Sequence, residues 1–317
     1  MKRIGLIVAI LALVLAVLGA APVYRIKKVG KYPNFIALGP DGAKGYVTSY
    51  DTGELVEVDL IEKVVARSLF VGDNPLGVAV AEDGKSAYVA CKGSATVAVV
   101  NLQDFSVEAQ IKTGGAPSAI AFGPRGYRAF VTDYGRSRTG QLHIIDTRER
   151  KIETTINMGI NPFGVVVSPI SERAFVMCGG SNEVWVVDTN SLSVIKKIAV
   201  GEAPDGIAIT PDGKRIFVAN SGSNDVSVID AQRNEVMITI PVGKSPFGVA
   251  MSPDGKRVFV VNAGSNSISI LPTDLSSIQS QRFPVDKGPT DIKVMPDNRT
   301  VVVVTELTSS LYITEAP

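Results

Sequence analysis

One histidine, one tryptophan and two cysteines are scattered through the 317 residues of this chain. Each scarcity closes a class of chemistry. A c-type haem needs Cys-x-x-Cys-His, which is absent. A zinc site needs clustered Cys and His, and His143 has no histidine partner. There is no glycine-rich phosphate loop and no nucleophile constellation. An excess of one charge is also missing. The formal net charge is +1, and leaving out residues 1–22 removes Lys2 and Arg3, so that 30 basic residues face 31 acidic ones. No long basic run occurs, and nothing points to nucleic acid or to anionic lipid. After residue 23 no stretch carries a helical period of apolar residues.

What the chain does have is a repeat. A proline after a glycine-containing turn recurs at Pro33, Pro75, Pro117, Pro162, Pro204, Pro246 and Pro289, at spacings of 42, 42, 45, 42, 42 and 43 residues. A period in this range signals an array or a closed ring. The copy from Pro204 is the clearest. Runs rich in Val, Ile and Phe are cut by Pro211-Asp212-Gly213, by Ser221-Gly222-Ser223-Asn224 and by Asp230. Those are strand and turn signals. They predict strands over 206–209, 216–219, 226–229 and 236–242. Four antiparallel strands in each of seven copies describe an all-β, seven-bladed propeller, because a single four-stranded sheet cannot bury both its faces without neighbours.

The copy from Pro289 has three strands. The segment Val23-Tyr24-Arg25-Ile26-Lys27-Lys28-Val29-Gly30 matches Val194 to Gly201, the outer strand of the fourth copy. Residues 23–29 are therefore expected to complete the last blade and lock the ring. The domain reading is a leader at 1–22 and a single propeller over 23–317. The leader has a basic start, an apolar run from Ile4 to Leu18 and a small-residue close, Gly19-Ala20-Ala21-Pro22. It reads as a signal peptide or as an uncleaved membrane anchor. Either way the expected location is outside the cytoplasm: periplasmic, secreted or on the cell surface. The membrane would be touched only through that segment.

The second strand of six of the seven copies resembles the name motif of the YVTN family of seven-bladed propellers. It reads Tyr46-Val47-Thr48-Ser49, Tyr88-Val89-Ala90-Cys91, Phe130-Val131-Thr132-Asp133, Phe175-Val176-Met177-Cys178, Phe217-Val218-Ala219-Asn220 and Phe259-Val260-Val261-Asn262. The Pro-Asp-Gly-Lys turn and the Val-Ile-Asp strand end resemble the family too. The resemblance covers residues 23 to 317. It implies the fold and an extracytoplasmic, often surface-layer-like, setting. The broader lactonase-like group shares the shape and includes sugar-lactone hydrolases. A propeller holding a quinone cofactor would repeat tryptophan, and only Trp185 is present. No cofactor and no metal are implied.

Repeated residues report architecture. The family asparagine position reads Ser49, Cys91, Asp133, Cys178, Asn220, Asn262 and Thr305, all small enough to bond nearby backbone at a strand end. Cys91 and Cys178 lie two blades apart, beyond the roughly 7 Å a disulfide tolerates, and are expected as free thiols. His143 aligns with Ser227 and is expected away from that ring. The series Asp59, Asn101, Asp146, Asp188 and Asp230 is expected to cap turns.

Departures from the repeat are the candidates for function. The third copy is longer at Tyr134-Gly135-Arg136-Ser137-Arg138-Thr139-Gly140. This loop should project from the face that carries the marker prolines, where Tyr134, Arg136 and Arg138 suit an anionic or aromatic group. The residue after the proline adds Phe163, Asp205 and Phe247. Strand-two ends add Tyr50, Asp51, Lys92, Asp133 and Glu306. In the last copy Asp291 and Lys293 replace the usual Gly and Ala. Together these residues outline a mixed-charge, partly aromatic mouth of a central channel, a favoured place for ligands. The leading expectation is a monomeric, non-enzymatic binding or scaffold module that meets a protein or small ligand there. A lactonase-like hydrolase using the mouth carboxylates and a structural cell-surface module are the alternatives.

Overall fold

A computed structural model describes residues 21–135 and 139–317. They form seven four-stranded antiparallel sheets. In the fifth blade the strands are Pro204–Ile209, Arg215–Asn220, Asp225–Asp230 and Glu235–Pro241, from the axis outwards. The inner strand of each blade contacts that of the next, and the seventh contacts the first, so the ring is closed.

The two middle strands are buried on both faces. Ile216, Phe217, Val218 and Ala219 are wholly inaccessible, while the outer strand alternates between exposed and covered residues. Phe130, Phe175, Phe217 and Phe259 occupy one repeated position and are among the largest fully buried side chains. Full burial of such a ring is worth about 2–3 kcal/mol, and this repeated aromatic wedge holds neighbouring blades together. At the axis the inner strands come closest. A Cβ on Gly77 would lie 2.5 Å from the carbonyl oxygen of Ser118 in the next blade, a backbone atom that has no room to yield.

On the face opposite the marker prolines, arginines join the blades. Arg128 donates to the carbonyl of Thr189 (2.8 Å), Arg173 to that of Ala231 (2.8 Å), Arg215 to that of Thr273 (2.7 Å) and Arg257 to that of Pro317 (3.0 Å). The turn carboxylates act as expected: Asp59, Asp146, Asp188 and Asp230 each accept two backbone N–H groups just downstream.

The seventh blade is built from Pro289–Val294, Thr300–Thr305, Ser310–Glu315 and the N-terminal Val23–Lys27. Tyr24 pairs with Ile313 and Ile26 with Leu311. The closing strand stops at Lys27, short of the expected Val29, although the N–H groups of Lys28 and Val29 both reach the carbonyl of Ser309. Its alignment with the fourth blade also needs correction by one residue. Ile26 faces Leu311 as Ile198 faces Val184. Three residues then separate Ile26 from Gly30 where two separate Ile198 from Gly201. Lys28 absorbs the extra residue with φ 64°. Without that shift Lys27 would occupy the buried position, because a one-residue slip in a strand exchanges its faces. Arg25 forms a two-pronged ion pair with Asp286, which stands between the sixth and seventh blades.

Residues 1–20, which hold most of the leader, lie outside the described residues. No described helix is long and apolar enough to cross a membrane.

Candidate functional site

The inner strands position the mouth. Each carries a register shift directly after its marker proline. Bulges of this kind re-aim the residues beside them. Phe163 of blade four meets Phe247 of blade six at 5.9 Å between ring centroids, and both meet Phe35 of blade one, at 5.6 and 6.3 Å. Blades one, four and six are not neighbours in a ring of seven, so these rings touch across the axis. They plug the channel. Tyr134, from the long third-blade loop, stacks on Phe163 at 6.0 Å and 15°.

Around this floor the rim is polar. The Lys92 ammonium lies 5.1 Å from the Tyr134 ring centroid. Asp205 is half-buried, and burial pushes its carboxyl up; the neighbouring Ser221 hydroxyl donates to the carbonyl of Ala203 (2.9 Å). The phenol of Tyr134 is also pushed up, first by burial and then by the nearby Asp205 and Tyr50. Tyr50, Lys92, Tyr134, Phe163, Asp205 and Phe247 are thus the predicted residues that the fold gathers.

Others are placed elsewhere. Asp51 pairs with Lys31 at 3.0 Å on the exposed rim. Glu306 is half-buried in its turn, and its N–H donates to the carbonyl of Gly288. Asp291 is buried beneath the mouth. It pairs with Lys293 at 2.8 Å and accepts the N–H of Ile36 in the first blade at 3.0 Å. Asp133 is wholly buried and accepts the N–H groups of Ala116 (2.6 Å) and Gly135 (2.7 Å). Arg136 and Arg138 lie outside the described residues.

His143 is closer to the strand-end ring than its alignment indicated. Its Nε2 lies 3.3 Å from Asp133 Oδ2, and its Nδ1 lies 2.9 Å from Thr155 Oγ1. Elsewhere this position pairs asparagine with serine: Asn220 with Ser227 and Asn262 with Ser269. The third blade carries an ionisable version of a structural pair. Burial pushes the Asp133 carboxyl up, but His143 and the two backbone N–H groups outweigh it and leave it low. Cys91 and Cys178 are buried, unpaired thiols pushed up to about 12 by burial.

Phe35 escaped the sequence reading. The position two after each proline reads Phe35, Gly77, Ala119, Gly164, Gly206, Gly248 and Asp291, so the comparison that singled out Asp291 also carried the signal for Phe35. The face opposite the prolines holds clefts too. One of them, about 630 Å³, lies between blades three and four and is lined by Arg125, Tyr127, Ile170 and Glu172. No group of three or more His, Cys, Asp or Glu able to hold a metal occurs among the described residues.

Residues 168–257 match the model of the YNCE-like beta-propeller family. That match and the seven-bladed ring agree with the YVTN-type reading of the repeat. No curated protein matches the chain. Among solved structures, a chain of Kuenenia stuttgartiensis hydrazine synthase is similar at 24% identity and a TM-score of 0.82, covering 92% of this chain and 97% of that one. A functionally unknown protein from Desulfotomaculum acetoxidans DSM 771 is similar at 15% identity and a TM-score of 0.76, covering 85% and 91%. At these identities the likeness speaks for the fold.

Proposed function

We propose that this propeller is an extracytoplasmic, non-enzymatic binding or scaffold module whose partner meets the proline-bearing mouth. The observation that carries the reading is the aromatic plug of Phe35, Phe163 and Phe247, capped by Tyr134. It makes the mouth a floor for contact, where a deep channel would suit a small substrate. Rigid aromatic anchors within a polar rim are the usual makeup of an interaction surface. Three of the five candidate carboxylates favour the same reading over the hydrolase. Asp51, Asp133 and Asp291 are each engaged by a basic side chain or a buried imidazole. The hydrazine synthase chain lends no reaction at its level of identity. The extracytoplasmic setting rests on the basic-then-apolar start of the chain.

Two measurements test this. Mass spectrometry of the mature N-terminus addresses compartment and anchoring. Binding of a partner should be lost in Tyr134→Ala and in the double variant Arg136→Ala, Arg138→Ala, and kept in Arg125→Ala on the opposite face. Unchanged binding in the first two removes this face from the reading. Turnover in a lactone panel would favour the hydrolase.

A further inference from the structure

The mouth holds opposite charges that are not joined to one another. Lys92 and Asp205 both neighbour Tyr134, yet neither belongs to an ion pair among the described residues. Two other lysines among the described residues near the mouth behave differently: Lys31 holds Asp51 and Lys293 holds Asp291. Asp205 is half-buried and holds in blade five the position that Phe163 and Phe247 hold in the flanking blades four and six. Withdrawing a carboxylate from water without a counter-charge is costly and needs compensation. Meanwhile the protein already sets one cation of its own, the Lys92 ammonium, over the Tyr134 ring. An aromatic face with a half-buried carboxylate nearby attracts ammonium and guanidinium groups twice over, through the ring quadrupole and through charge.

We infer that the mouth receives a lysine or arginine side chain from a protein partner, and that Lys92 occupies the place of that cation in the free protein. This rests on the proposed binding role of the mouth and names the partner's chemistry. The incoming cation lies against Tyr134, with its charge toward Asp205, and displaces Lys92. The two lysine roles have opposite signs in mutagenesis. Removing Asp205 takes away an attraction, whereas removing Lys92 takes away a competitor for the ring and a like charge.

The test titrates the full chain with the peptide amide Gly-Gly-Lys-Gly and follows the Tyr134 resonances. Gly-Gly-norleucine-Gly, Gly-Gly-Glu-Gly and n-butylamine serve as comparison probes. The lysine peptide should bind more tightly than all three. Asp205→Asn, nearly isosteric, should weaken it about tenfold, the scale of one charge-assisted contact. Lys92→Gln should tighten it by about threefold or more, as expected from lifting one like-charge repulsion at a half-exposed site. Equal binding of the norleucine peptide, preference for the glutamate peptide, butylamine binding as tightly as the peptide, or weaker lysine binding in Lys92→Gln would each overturn the inference. These outcomes separate from failure of the broader reading. A partner that is lost with Tyr134→Ala while the lysine peptide shows no preference leaves the docking face standing and removes only the cation.

Discussion

Shortening Ile26 to alanine should loosen the blade in which the two ends of the chain meet. Ile26 is 3% exposed and packs with Leu311, Val302 and Val304 from the C-terminal strands. The change removes three carbons at about 0.8 kcal/mol each. The space left behind raises the cost to about 3 kcal/mol. A domain of about 300 residues unfolds with an entropy near 0.6 kcal/mol/K, at about 2 cal/mol/K per residue, so Tm should fall by about 5 °C. Arg25→Ala is the contrasting case. Its pair with Asp286 is two-pronged, but the side chains are 46% and 21% exposed, so solvent screening keeps the loss within about 1 kcal/mol, or roughly 1–2 °C. Ile198→Ala, at the equivalent place in blade four and 5% exposed, should cost about as much as Ile26→Ala in Tm. Hydrogen exchange distinguishes the two. Only Ile26→Ala should selectively speed exchange in Val23–Lys27 and Ser310–Glu315, because only there is the outer strand held to its blade by pairing alone, with no turn joining it to its neighbour. A Tm change under about 1 °C for Ile26→Ala, or unchanged exchange in those two strands, would refute the closure argument.

The remaining expectations concern titration, reactivity and crowding. The Asp133 carboxyl is held below its ordinary value in the folded state, so its contribution to stability is present above the unfolded pKa near 4 and is lost as pH falls through the folded value. Asp133→Asn, which restores the residue found at Asn220 and Asn262, should flatten that acid limb in a Tm–pH series. Asp205 is raised, so its ionised form burdens the fold above its folded pKa and the burden lifts below it. Asp205→Asn should therefore raise Tm at pH 7 and leave it unchanged at pH 3. Cys91 and Cys178 should resist thiol reagents at pH 8 until the protein is unfolded, since burial pushes both up to about 12; rapid labelling of the native protein would contradict this. Gly77→Ala should cost more than about 2 kcal/mol in a denaturant series, because its Cβ would meet the Ser118 carbonyl oxygen at 2.5 Å. Gly114→Ala, at φ 79° with open space around it, should cost only about 1 kcal/mol.

Blade count, strand order and the use of the N-terminal segment as the last outer strand were all legible in the chain itself. They follow from spacing, turn residues and alternation, which act over a few residues and recur seven times. The register of the closing strand was not. Val23 to Gly30 aligns with Val194 to Gly201 without a gap when anchored on its glycine, and only the pairing of Ile26 with Leu311 shows that Lys28 is the inserted residue. The same limit applies to the mouth. Phe163, Asp205 and Phe247 could be named as departures from the repeat, but the meeting of Phe35, Phe163 and Phe247 joins blades far apart in sequence. So does the stacking of Tyr134 on Phe163, and His143 finds Asp133 only through the pairing of the second and third strands. Sequence by itself determined the wedge and the number of wedges, because those are set by local periodicity. Closing the ring decided which side chains converge on the axis, because that convergence is a property of the whole circle and is written in no single copy.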